Sequence, residues 1–339
     1  MRAFGRSIGD FEPLSPAEEK LLAGCRSGHF VEIHCEPPRR GTRANRVRAS
    51  FLRFLALGGD EGVAVHEAGI QLMGAWITGI LDLDSTRVDC PIALARCRLE
   101  RIHASGAHLN SLALAECRVM EGIAGDGLHC TRNLCLWGRS HISGGVSLIG
   151  ASIGGTFNCS GSRFDNDRGV SLRLDGASIR GDVRLCSDFH ATGSVYLVLA
   201  QIGGSLICTD GRFERSPRSA VDARSGMPPA FQAAGAKISG AAFLNGRFHA
   251  EGEVRFTSAT IGADLDCSGG QFNNDGGDAL VGDQLSVAGS VLLHQLLARG
   301  VVRLLGARIS GNLECDGARF KGSTWALSCQ VAVIDGSIR

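Results

Sequence analysis

The sequence predicts a parallel β-solenoid, and three observations carry that prediction. The string G-A-x-I-x-G occurs five times, at Gly74–Gly79, Gly150–Gly155, Gly176–Gly181, Gly235–Gly240 and Gly306–Gly311. Around it a longer frame repeats in register. Val146, Leu148, Ala151, Ile153, Phe157, Cys159 and Phe164 are matched position for position by Val195, Leu197, Ala200, Ile202, Leu206, Cys208 and Phe213. The frame recurs from Val254 to Phe272 and from Val302 to Phe320. Within each unit the apolar residues come in pairs two apart, such as Val302/Leu304, Ala307/Ile309 and Leu313/Cys315. That spacing is the inward-facing period of a short extended segment, not the period of a helix. Four such pairs separated by tight polar corners describe one turn of a four-faced coil, which can bury its apolar side only by stacking on the next turn.

Residues 1–62 lack the repeat and are expected to form a small helical cap. Ser15-Pro16-Ala17-Glu18 is a capping box with proline at the first helical position. A second helix is expected from about Arg46 to Leu57, stopped by Gly58-Gly59. A cap covers the unpaired strand edge and open core that every solenoid end presents. This segment also carries a basic run, Arg39, Arg40, Arg43 and Arg46, with no acid between residues 37 and 59. A solvated helix face accounts for such a run, and an anionic partner is the alternative.

The solenoid is expected over residues 63–339, as about eleven coils of 20–26 residues with a rod length of roughly 50 Å at the inter-strand spacing. Coils of two flavours alternate, with Ile179, Leu185 and Phe189 standing between the copies that carry Cys159 and Cys208. Extra residues collect at one corner after the Phe of alternate coils: after Phe164, after Phe213 (the long loop 214–230), after Phe272 and after Phe320. Insertions on one edge of a repeat array mark its partner-facing side, so the charged residues of the long loop, Glu214, Arg218, Asp222 and Arg224, are candidate interaction residues. Residues 326–338 align with residues 279–291 and then stop partway through a coil. Its uncovered edge, with Val333, Ile334 and Ile338, is expected to self-associate as a homodimer or larger oligomer.

Leu99, Ala104, Leu109, Leu114 and Val119 follow one another in steps of five, each preceded at minus two by Cys97, Ile102, Ala107, Leu112 and Cys117. In this the chain resembles the pentapeptide-repeat proteins. The resemblance covers roughly residues 63–339 and implies a right-handed, four-sided β-helix. The later coils depart from the strict step, and the family's frequent Asp or Asn before the central residue is replaced by Ser152, Gln201, Lys237 and Arg308.

Composition excludes several classes. Gly at 47 of 339 residues is about twice the usual share, but with 8 Pro and no Gly-X-Y period the chain is not collagen-like. A net charge of +1 gives no electrostatic bias toward nucleic acid or membrane. Met1 to Pro13 show no basic-then-apolar leader pattern and no apolar run approaches the length of a span, so a cytoplasmic protein is expected. The 13 cysteines show no C-x2-C spacing, the closest pair being Cys130 and Cys135. Cys159, Cys208, Cys267 and Cys315 fall on alternate coils, about 10 Å apart, too far for disulfides or shared ligation. They are expected to be small core residues. Phe164, Phe189, Phe213, Phe248, Phe272 and Phe320, with Leu297 in the series, are expected to stack at one corner of the core.

No pattern rises to a catalytic signature. Gly150–Gly154 matches G-x-S-x-G, but a nucleophile elbow needs a strand-to-helix turn, and sibling repeats replace Ser152 by Lys237 and Arg308. Asp165, Asp167, Asp275 and Asp278 could be read as calcium ligands, and turn chemistry explains them as well. His190 and His249 share a repeat position and are expected at a solvated corner. We expect no cofactor, no metal and no catalysis. The leading functional expectation is a scaffold for protein–protein interaction or self-assembly. A duplex-DNA mimic that binds topoisomerases, as the resemblance implies for some pentapeptide-repeat proteins, would need a strongly acidic face, which the near-balanced charge disfavours. A carbohydrate-active β-helix enzyme rests on the aspartate loops alone.

Overall fold

The computed structural model describes residues 7–216, 227–322 and 325–339, apart from the side chain of Arg168. It is a right-handed parallel β-solenoid of about eleven turns. Each turn visits four faces in order. In one early turn the first face is Ile70–Met73, the second Trp76–Thr78, the third Ile80–Asp82 and the fourth Arg87–Val88. The first faces of successive turns form a 12-stranded sheet and the fourth faces an 11-stranded sheet. The second and third faces merge into one 19-stranded sheet, because strands such as Arg163–Arg173 and Gln271–Val281 run across the corner between them. Pairing is parallel throughout these sheets, so every turn satisfies the backbone of the one before it.

The cap differs in part from expectation. Helix α1 (Pro16–Ser27) begins at the Ser15–Glu18 capping box and ends at Gly28, whose φ of 72° gives the left-handed stop. Helix α2 spans Ala49–Ala56, three residues shorter at its start than the sequence suggests. Residues Arg46–Arg48 are instead a strand on the second face, pairing with Trp76–Thr78, and Val31–Glu32 pairs with Leu72–Met73 on the first. The segment before residue 63 therefore contributes a partial turn of the solenoid as well as the helices. Phe11, Phe51 and Phe54 pack together beneath α2, with ring centroids 5.2–6.3 Å apart.

The two coil flavours have a steric cause. Along the corner between first and second faces the inward pairs run Ser162/Phe164, Phe189/Ala191, Gly211/Phe213, Phe248/Ala250, Gly270/Phe272 and Leu296/Ala298. The register places Phe164, Ala191, Phe213, Ala250, Phe272 and Ala298 in one line. Each turn thus sets a large residue where its neighbours are small. Rings in one line at the ~4.8 Å inter-strand spacing would be forced face to face. Alternation lets them tilt, with centroids 5.2, 5.6, 5.3 and 5.0 Å apart from Phe164 to Phe272. A Cβ on Gly211 or Gly270 would come within 2.8 Å of the following Phe ring. The residue that continues this stack is the buried Leu296, not Leu297. Leu297 faces outward, aligned with Gln271 and Arg319.

The same rule governs the first face, where Phe157/Cys159, Val183/Leu185, Leu206/Cys208, Ala242/Leu244 and Leu265/Cys267 follow one another turn by turn. Cysteine is the small member opposite the leucines of the flanking turns. At the neighbouring corner, Cys97 and Cys117 donate to Leu72 O and Leu94 O, and Ser140 donates to Leu114 O. A hydroxyl replaces the thiol there without altering the pattern.

Candidate functional site

The charged corners are the first candidates for a site, because there the backbone leaves donors to satisfy. Asp84 Oδ1 accepts from Ser105 N at 2.6 Å, Asp126 Oδ1 from Ile149 N at 3.0 Å, and Asp175 Oδ1 from Val198 N at 3.0 Å, each on the next turn. A second ladder runs along another corner. Asn133 accepts from Thr156 N, Asp182 from Ser205 N, Asp264 from Ser290 N and Asn312 from Ser337 N. These side chains are turn-to-turn clamps.

Two of the four aspartates of the shorter loops, Asp165 and Asp278, are likewise committed. Asp165 meets His141 Nε2 at 2.8 Å and Arg163 Nε at 2.7 Å, and Asp278 meets Arg303 at 2.7 Å. Burial works to raise the Asp165 pKa, but the bonds from Arg163 and His141 outweigh it and hold the carboxyl below its usual range. The loops themselves are parts of the long corner-crossing strands, and Asn166 and Asn274 each donate to the carbonyl four residues on.

His190 and His249 stand two turns apart, with Arg212 between them. His190 Nε2 lies 3.5 Å from Glu214, and His249 Nε2 lies 2.7 Å from Glu251. Burial depresses the His190 pKa against the pull of Glu214. Ser152 sits on the flat fourth face, in register with His129 and Ser178. The strand-to-helix turn of a nucleophile elbow is absent there.

Burial also sets the chemistry of several core thiols. It pushes Cys25 up to about 12 and Cys130 to about 11, and raises Cys159, Cys208 and Cys267 as well. Thiols so held are protonated and poor nucleophiles.

Among the described residues, two groups have the ligand types for a metal: Asp82 with Asp84 and His103, and His294 with Glu314 and Asp316. In the first, Asp82 and Asp84 accept backbone N–H bonds in the corner. In the second, both imidazole nitrogens face carboxylates, Glu314 at 3.1 Å and Asp316 at 3.3 Å.

Of the basic residues expected as a patch, Arg39 and Arg40 are exposed, while Arg43 and Arg46 line a pocket of about 430 Å³ with Pro13, Leu14 and Ser15. Arg48, next to them, is structural. Its guanidinium grips the buried Glu18 at 2.7–2.8 Å, and Glu18 also accepts from the backbone of Ser15 and Arg48. Arg53 donates to Asp82 O and ties α2 to the first full turn.

Glu214 is a strand residue of the second face, bonded to Arg212. Arg218, Asp222 and Arg224 lie outside the described residues. At the far end, the final turn exposes Trp325 (68%), Val331 (86%), Val333 (54%) and Ile338 (69%), and Ile334 is half-buried.

One feature was not legible in the sequence. A cleft of about 390 Å³ opens on the third face, lined among others by Arg101, Glu121, Ala124, Ser147 and Arg173. Its lining residues belong to several turns, and no sequence spacing brings them together.

No protein-family model matches this chain, and neither a curated protein nor a solved structure matches it. Among the described residues, no helix is long and apolar enough to cross a membrane.

Proposed function

We propose that this chain is a non-catalytic scaffold of the pentapeptide-repeat kind that self-associates end-on through its final turn. The observation that carries this reading is the final turn itself. Its inward residues Cys315, Phe320, Leu327, Cys329 and Ile334 are only partly buried and Ile338, in register with the buried Leu313, is exposed, whereas the large side chains pointing into the earlier turns are covered on both sides. The strands Leu327–Ser328 and Val333–Ile334 have a partner on one side only. Unpaired strand edges beside an open apolar core favour docking of a like edge. The five-residue steps from Cys97 to Val119 support the family assignment, since both members of each pair are buried across all four faces. The duplex-mimic alternative gains no support from the second face, whose outward line begins Arg46, Trp76, Arg98, Arg118, His141 and Arg163.

Light scattering on the eluate of a sizing column tests this reading. The intact chain is expected to elute as a dimer or larger at tens of micromolar, and Val333→Asp with Ile338→Asp to elute as a folded monomer. A monomeric intact chain at those concentrations overturns it.

A further inference from the structure

The third face presents an outward line of side chains in fixed register: Asp82, His103, Ala124, Ser147, Arg173, Tyr196, Gln232 and Arg255. Every position in this stretch carries a long or ring-bearing side chain except three, and two of those, Ala124 and Ser147, are adjacent. At the corner beside them stand Gly122, Gly144 and Gly145, which offer no side chain either. Two consecutive turns are therefore bare, and the result is the 390 Å³ cleft. Arg101 belongs to the turn before the gap and Arg173 to the turn after it. Three inter-strand steps separate those turns, about 14 Å between backbones, and an arginine from each side narrows that span to the size of a small ligand.

The two guanidiniums differ from the most tightly paired arginines of the rod. Arg163, Arg212, Arg255 and Arg303 each hold a carboxylate at 3 Å or less. Arg101 has no ion pair with any described carboxylate, and its Nε donates only to the backbone oxygen of Glu121, at 3.1 Å. Arg173 lies over the Tyr196 ring at 5.4 Å, and its Nε is 3.4 Å from Asp175 Oδ2. That approach does not make a hydrogen bond, so the Arg173 Nε is a buried donor without an acceptor.

We propose that the cleft binds a small molecule through a carboxylate or phosphate group held between Arg101 and Arg173. Planar guanidiniums suit both oxyanions, and bidentate charge-assisted bonds are the strong ones. Glu121, in the same wall, opposes the anion and sets a ceiling on affinity for a bare oxyanion.

Calorimetric titration at low ionic strength, with inorganic phosphate in one arm and citrate in the other, tests this on the full chain. At least one of the two is expected to bind with one-to-one stoichiometry, and which one identifies the source of the oxyanion. Arg101→Gln is expected to weaken binding about tenfold, the equivalent of one charge-assisted bond. Glu121→Gln is expected to strengthen it several-fold, a gain that a purely structural role for this exposed residue would not produce. Ala124→Gln fills the gap with an uncharged side chain and is expected to abolish binding, with Ser147→Gln as the second filling variant should the first fail to fold. Absence of binding in both arms overturns the proposal. So does binding that survives Arg101→Gln and both filling variants unchanged.

Discussion

Cys208 shows at the scale of one residue why this core tolerates so little change. It lies between Leu185 and Leu244 of the flanking turns and is fully buried. Cys208→Ala leaves a space one sulfur wide and is expected to cost about 1 kcal/mol. Cys208→Leu adds bulk where both neighbours are already large and is expected to cost about 1–3 kcal/mol, although leucine is the more hydrophobic residue. Equilibrium urea unfolding ranks the two, and a Leu variant as stable as the parent would contradict the alternation rule. His190 makes a second residue-scale case. Burial holds its pKa below the ordinary 6.5. The folded chain then binds this proton less readily than the unfolded chain, so the contribution of His190 is complete above about pH 6.5 and is lost as pH falls through the lowered value. Thermal melts of the parent and of His190→Gln across that window are expected to converge toward acid pH. Parallel melting curves would show that burial of this imidazole has no such effect.

At the scale of elements, the corner-crossing strands Arg163–Arg173 and Gln271–Val281 are the departures from the simple four-face turn. Each bulges outward while the next turn passes beneath it, and the register shifts fall between Asp165 and Leu172 and between Asn273 and Leu280. The passing turns carry Gly193 and Gly300, with φ of 116° and 126°. A Cβ at Gly193 would lie 2.7 Å from the carbonyl oxygens of Asn166 and Gly169, and one at Gly300 equally close to those of Asn274 and Gly277. Strain and collision act together here. Gly193→Ala is therefore expected to destabilise by about 2 kcal/mol or more, measured by denaturant midpoint against Gly169→Ala, where nothing lies within 4 Å of the added atom. Equal midpoints for the two variants would refute the assignment of these glycines to close approach.

At the scale of the whole molecule, stability is a sum of turns and the interfaces between them. The two ends are unlike. At the N-terminal side α1, α2 and the Phe11–Phe51–Phe54 cluster cover the core, fastened by Glu18 and Arg48. At the other end the inward residues Cys315, Phe320, Leu327, Cys329 and Ile334 are only partly buried. If association runs through that apolar turn, raised salt leaves the oligomer intact or strengthens it, because screening acts on charges and not on apolar burial. An oligomer that dissociates in high salt would place the contact on a charged face instead.

The sequence by itself determined the repeat, the four faces, the coil count and the small-residue role of the cysteines. A period of two in burial leaves a direct trace in residue order. Capping chemistry is equally local, so α1 was legible from Ser15 to Glu18. The strand character of Arg46–Arg48 was not, because those residues have no apolar alternation and become a strand only by pairing with Trp76–Thr78. Leu297 and Leu296 could not be told apart either, since adjacent leucines fit either phase and only the neighbouring turn decides which one enters the core. The commitments of Asp84, Asp165 and Asp264 were hidden for the same reason, their partners lying 21 to 26 residues away. Stacking alone created the cleft between Arg101 and Arg173. It is an absence of side chains on two neighbouring turns, and an absence becomes a site only when the register sets charged residues on both sides of it.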